Sequence, residues 1–263
     1  MNGKRKIAFT QMSTASSLLQ ELEFQMRDIG LLLMALRLDE LYRSSEFLTM
    51  DRLNLVSALL EPEYQDKTSK RINNRLRNAK LIGTPCDIGL CRDSDARKYE
   101  PAGSPQVLSS LRFIEDGLNV CILGPSDSGK TFLAKALGAA ACEKYRVRYS
   151  RCSELLESLV SLKNNDYPKF QREIKRIMSF DLFILDDFLL NTIMDEREVK
   201  VLMEIMEKRL ELAKSTIVCS QRDPKSWQAM IMNDEVSANA LLKRATKHYV
   251  IVIRSRATTP NPV

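Results

Sequence analysis

Residues 124–131 read Gly-Pro-Ser-Asp-Ser-Gly-Lys-Thr, which satisfies the spacing G-x-x-x-x-G-K-[ST] of a phosphate-binding loop. Such a loop offers a run of main-chain N–H groups, and the positive end of the helix behind it, to phosphate oxygens. Within it Lys130 is expected to reach the β- and γ-phosphates of a nucleotide, and the Thr131 hydroxyl to ligate Mg²⁺. Gly124, Pro125, Ser126, Asp127, Ser128, Gly129, Lys130, Thr131 and Phe132 together form the candidate nucleotide site. Further on, Leu182-Phe-Ile-Leu runs into Asp186 and Asp187. A carboxylate closing an apolar strand is where phosphate-loop enzymes hold Mg²⁺, so Asp186 is the second metal candidate. Asp187 is placed to orient or deprotonate an attacking water. Glu is the commoner residue there, and the shorter Asp would slow turnover. Ser220-Gln221 ends another apolar run, and Gln221 is the preferred contact to the γ-phosphate or the water. That reading expects the loop strand to lie between the third and fourth strands of the sheet. Arg244, late in a helix, suits either an arginine finger or a plain surface position.

These residues need a scaffold, and the flanking pattern supplies one. Residues 118–123 form an apolar run before the loop, while Phe132, Leu133, Ala136, Leu137 and Ala140 recur at helical spacing after it. From Gln106 onward strands alternate with helices. Strands are expected at 147–151, 181–186, 216–220 and 249–253, and helices at 153–162 (capped by Ser153), after Pro168, at 196–212 and at 238–244. That alternation predicts an α/β fold, a parallel sheet with helices on both faces.

The front of the chain reads differently. Residues 1–15 are polar. A helical pattern starts at Ser16 (Leu18, Leu19, Leu22, Met26, Ile29, Leu33), a second spans 49–60, Pro62 interrupts it, and a third covers 64–81. Glycines and prolines then mark 82–105 as a linker or an extended lead into the core. The division expected is a helical domain over 1–82, a linker over 83–105 and a nucleotide-binding core over 106–263. The third helix carries Lys67, Lys70, Arg71, Arg75, Arg77 and Lys80 with no acid among them. Arg71 and Arg75, one turn apart, could track a phosphate backbone or form a solvated face. With no aromatic interleaved, base stacking there has no support.

At 263 residues, with 28% charged and 44% apolar residues, the composition is that of a globular protein large enough for a core plus an appendage. A formal net charge of +6 favours an anionic partner such as nucleic acid. No apolar run approaches a membrane span and no signal-peptide core opens the chain, so a cytoplasmic location and no membrane partner are expected. Six cysteines and one histidine, His248, do not complete a zinc site or a hydrolase triad.

The loop Gly124–Thr131 with Phe132-Leu-Ala, the Leu-Asp-Asp-Phe of 185–188, and 215–221 followed by Trp227 together resemble the IstB family, ATP-binding helper proteins of insertion sequences related to DnaC-type helicase loaders. The resemblance covers about 106–254, and the helical front end agrees in outline. It implies an AAA+ P-loop ATPase that uses ATP and Mg²⁺, assembles into homo-oligomers on duplex DNA and cooperates with a partner transposase. It also implies that Arg244 acts in trans, although Lys243 stands where the family usually has an acid. Asp127 occupies a loop position where Gly is usual, and Leu189 one where many members have Gly. No helical lid is expected after the last strand. Two other functions share these motifs: a replicative helicase loader, and an ATP-gated DNA scaffold with negligible hydrolysis.

Overall fold

A computed structural model of the chain describes residues 16–83, 86–232 and 234–255. The chain divides into two compact units, 1–72 and 73–263. The first holds helix α1 (16–28), α2 (Leu32–Arg43), the short α3 (Glu46–Thr49) and most of α4 (Arg52–Asn78). Its small core gathers Leu38, Leu41 and Leu59. The sequence reading leaves out α2, whose first turn carries no acid and whose N-cap, Leu31, offers no side-chain oxygen. The missing acceptor comes from α4: Glu63, buried, accepts the N–H groups of Leu33 and Met34 at 2.9 and 3.3 Å. An acid at a helix start answers both the orphan donors and the dipole. Pro62 does not end a helix as expected. Helix α4 continues through it, because one lost backbone bond is offset by the side chains of Leu59 and Glu63 buried around it.

In the second unit, α4 stops where Lys80 takes a left-handed φ of +61°. Leu81 N–H donates to Leu76 O and Lys80 N–H to Arg77 O, closing the helix with paired end carbonyls. Then come β1 (Arg97–Glu100), α5 (Ser104–Ser109), α6 (Arg112–Glu115), β2 (Val120–Leu123), α7 (Lys130–Ala141), β3 (Val147–Arg151), α8 (Cys152–Asn165) and α9 (Tyr167–Met178). The chain continues through β4 (Leu182–Asp186), α10 (Glu196–Glu211), β5 (Ser215–Ser220), α11 (Glu235–Ala245) and β6 (Tyr249–Ser255). Helix α8 starts at Cys152 behind an Arg151 N-cap, so Ser153 is inside the helix, not its cap.

The strands form one sheet in the order β1-β6-β2-β5-β4-β3. All neighbours are parallel except β1, which runs antiparallel to β6 and lies in the Gly- and Pro-rich stretch 82–105. Alternate residues of the central strands bury on opposite faces. Val120, Ile122, Ile184, Ile217 and Ile251 face α7, while Cys121, Leu123, Phe183, Leu185 and Val218 face α8 to α11. Burial on both sides is why these strands read as unbroken apolar runs. The outer edge of β3 is covered by the end of α4: Tyr149 N–H donates to Ala79 O and Arg148 to Asn78 O, each at 3.0 Å. Among the described residues no helix is long and apolar enough to cross a membrane.

Candidate nucleotide site

The loop leaves β2 through Gly124, whose φ is +154°. A Cβ there would stand 2.5 Å from Ile253 O and 2.8 Å from Ser128 Oγ, so no other residue fits without moving the strand beside it. Asp127 (φ +58°) and Gly129 (φ +98°) complete the turn, and Gly129 caps α7. Pro125, Ser126 and Asp127 are exposed, whereas Ser128 and Lys130 are buried. The Lys130 ammonium folds back to donate to Pro125 O at 2.6 Å, and burial lowers its pKa. Ser128 Oγ is buried without a hydrogen-bond partner. A buried ammonium held by one carbonyl, next to an orphan hydroxyl at a helix N-terminus, is a donor set that fits a polyphosphate.

Asp186, at the end of β4, is buried and receives three donors. Its Oδ2 accepts from Thr131 Oγ1 and from the Tyr149 hydroxyl, both at 2.8 Å, and its Oδ1 accepts the Asp187 N–H at 3.0 Å. Thr131 and Asp186 are therefore adjacent, as two oxygen ligands of one hard cation must be. Burial, and then Asp186 itself, raises the Tyr149 phenol pKa and keeps it a donor.

The chain beyond Asp186 is bent. Asp187 and Leu189 both adopt left-handed backbone, with φ of +52° and +51°. Each such residue costs roughly 1–2 kcal/mol. The bend is held from β5: Phe188 N–H donates to Cys219 O at 2.7 Å, and Ser220 Oγ donates to Phe188 O at 2.8 Å. Phe188 packs on the fully buried Trp227 with ring centroids 5.0 Å apart. Trp227 is thus a structural partner of the acidic turn. Burial and then Asp186 raise the pKa of Asp187, while Arg151, with Nε 3.8 Å away, pulls it down. Beside Asp187 lies a cavity of about 230 Å³ bordered by Arg151, Glu154, Thr192 and Glu198.

Gln221 follows β5 and is half-buried. The expected strand order is corrected here: β2 lies between β5 and β6, and β5 lies between β2 and β4. Gln221 thus leaves the sheet between the loop strand and the strand carrying Asp186. Arg244 is elsewhere. Its carbonyl accepts from Asn119, which precedes β2, so it sits at the end of the strands opposite the loop. Its guanidinium donates to Glu207 at 2.6 Å and to Ala240 O at 3.0 Å. The six basic candidates also differ among themselves. Lys67 pairs with Glu63 (3.5 Å) and Lys70 with Asp66 (2.7 Å), acids one turn upstream of the stripe. Arg75 caps α7 through Cys142 O and Glu143 O (3.3 and 2.7 Å). Arg71, Arg77 and Lys80 are exposed.

Sequence reasoning missed Tyr149 and Arg151. Their signal was the period-2 alternation with Val147, which faces α7, combined with a register pairing Arg151 with Asp186.

Asp127 permits a direct test of the loop's electrostatics. Asp127→Gly keeps the left-handed turn and removes a carboxylate next to the phosphate site. It should tighten ATP binding about 3- to 10-fold at low ionic strength, with the gain fading in high salt. Calorimetric titration at two salt concentrations checks this, and unchanged or weaker binding would assign Asp127 a supporting role.

The strand order, the loop between β2 and α7, and the acids closing β4 are those of a P-loop α/β fold. The chain belongs to the IstB-like ATP binding protein family, which matches residues 24–257. It is 31% identical over 220 residues to an insertion-sequence ATP-binding protein of Sinorhizobium fredii, covering 83% of this chain and 86% of that one. It is 33% identical over 159 residues to the ATP-binding protein of insertion sequence IS232 from Bacillus thuringiensis, covering 59% of this chain and 62% of the relative's length. Solved structures share the fold. A replication initiator DnaA bound to AMPPCP and single-stranded DNA superposes with TM-score 0.54 at 19% identity, over 66% of this chain and 51% of that one. The DnaC helicase loader gives 0.51 at 16%, over 66% and 99%.

Proposed function

We propose that this chain is an ATP-hydrolysing helper of DNA transposition that assembles on duplex DNA without sequence preference and activates a partner transposase. The carrying observation is the Thr131–Asp186 hydrogen bond at the mouth of the phosphate loop, in a member of a family of insertion-sequence ATP-binding proteins. Thr131 and Asp186 would hold a Mg²⁺, which supplies charge neutralisation at the β- and γ-phosphates. Lys130 exchanges Pro125 O for phosphate oxygens. Asp187 takes the proton of the attacking water, and Gln221 orients that water or the γ-phosphate. Arg244 cannot serve its own loop from the opposite end of the strands, which supports a role at a neighbouring subunit's site after it leaves Glu207. Arg71, Arg77 and Lys80, exposed and basic, would contact DNA phosphates, with Lys67, Lys70 and Arg75 contributing less because each already has a partner.

A second reading, an ATP-gated scaffold with negligible turnover, draws support from the Arg151–Asp187 and Arg244–Glu207 pairs, which occupy two hydrolytic groups. Phosphate release measured with and without duplex DNA separates the two. Hydrolysis should be stimulated by DNA, and Asp187→Asn should lower it about 10²–10⁴-fold while ATP still binds. Because a base must be ionised and the pKa of Asp187 is raised, the acid limb of turnover should lie higher than an unperturbed aspartate would put it. ATP binding with no phosphate release at any DNA concentration would replace the first reading with the second.

A further inference from the structure

Arg97 has no role in any motif above, yet its guanidinium lies against the phosphate loop. A Cβ on Gly129 would stand 2.7 Å from Arg97 Cζ, 2.9 Å from Nη2 and 3.0 Å from Nε. Glycine at that position therefore serves two ends: it accepts φ +98°, and it leaves room for a flat cation on its open face. Arg97 Nε is buried and makes no well-formed hydrogen bond, its nearest polar neighbour on the strand being the Tyr99 hydroxyl, which is itself unsatisfied. An unpaired buried guanidinium nitrogen is costly and needs an explanation.

The sheet register explains how Arg97 arrives there. Leu123, the last residue before the loop, pairs with Val252, and Val252 pairs with Glu100. Arg97 pairs with Ser255, three residues beyond that level, which is about 10 Å past the end of β2 at roughly 3.3 Å per residue. It therefore stands at the height of the phosphate loop. Tyr99, two residues along and on the same face, packs in the core layer that includes α7, which puts Arg97 at the N-terminus of that helix.

Topology also says which end of a nucleotide Arg97 would meet. Asp186, Asp187 and Gln221 close β4 and β5, on one flank of β2, and β6 and β1 lie on the other. The metal and the terminal phosphate belong with the carboxylates, so the base-proximal end of the nucleotide extends toward β6 and β1.

We propose that Arg97 is a nucleotide-binding residue whose guanidinium, seated on Gly129, donates to the α-phosphate of the bound nucleotide. The inference rests on the ATP-binding reading of the loop. A contact to the α-phosphate is made equally to ADP and ATP, unlike one to the γ-phosphate. Arg97→Gln should therefore weaken both nucleotides about tenfold, by the same factor within error, in calorimetric titrations. Thermal melting without nucleotide establishes that the variant is folded. If the Gln variant lacks a melting transition, Arg97→Lys carries the test: it keeps the charge and most of the stem but loses the planar fork, and both affinities should fall several-fold. Unchanged affinities in a folded variant would overturn the proposal and leave Arg97 a packing residue. Loss confined to ATP would also overturn it, moving the contact to the γ-phosphate. A wild-type protein that bound neither nucleotide would instead sink the ATP-binding reading on which the inference stands.

Discussion

Lys130→Met should bind ATP about 100-fold more weakly than the wild-type chain. The methionine keeps most of the apolar stem of a side chain that is only 6% exposed, so packing changes little. What it removes is the single buried ammonium of the loop. A hydrogen bond to a charged group contributes about 1.5–3 kcal/mol, and about 2.7 kcal/mol corresponds to 100-fold in affinity. The variant should melt no lower than the wild type. In the free protein the ammonium pairs with one carbonyl, Pro125 O, and burial already disfavours its charge. Calorimetry and thermal melting on the same sample check both halves. Unchanged ATP affinity would mean that the triphosphate sits elsewhere, and the roles given to Asp186 and Asp187 would go with it.

The second large effect concerns stability. Arg209 is fully buried in α10, and its guanidinium is shared among three elements. Nη1 donates to Ile177 O and Phe180 O at 2.7 and 3.0 Å, Nη2 to Ser215 O at 2.6 Å, and Nε to Thr216 Oγ1 at 3.0 Å. The cation also lies over the Phe183 ring, 5.3 Å from its centroid. Burial pulls the pKa down to about 9, so the group stays charged at neutral pH. Arg209→Met would spare the cost of burying a charge but would strand main-chain carbonyls that no substitution can delete. Leaving a buried acceptor without its donor costs about 1–3 kcal/mol, and more than one carbonyl is stranded here. The expected result is a lower urea midpoint with an unchanged slope. A midpoint equal to the wild type's would mean that water reaches these carbonyls once the guanidinium is gone.

The legible parts of this molecule were those with a local code. The phosphate loop carries its own spacing, and β2, β4 and β5 announce themselves as apolar runs because both faces are covered. What escaped depended on distant partners. Helix α2 has no cap of its own and takes one from Glu63. Pro62 carries a local stop signal that side chains buried on either side of it override. Strand β1 is four residues long, three of them charged, hidden among glycines and prolines, and only its pairing with β6 makes it a strand. Strand order was equally unreadable, since a linear pattern does not say which parallel strands become neighbours. The candidate site divided the same way. Thr131 and Asp186 could be named from sequence, whereas Tyr149 and Arg97 required the register of the sheet.

The bend after Asp186 has a consequence for where function can be damaged. Two backbone torsions aim the Asp187 carboxylate, and an aromatic pair, one main-chain bond and one Ser220 hydroxyl bond from β5 fix those torsions. Shrinking Phe188 or Trp227 would let the backbone relax and swing the acid off its bearing, though both rings are wholly buried. A survey of inactive variants in this protein should therefore turn up buried aromatic positions alongside the acids they steer.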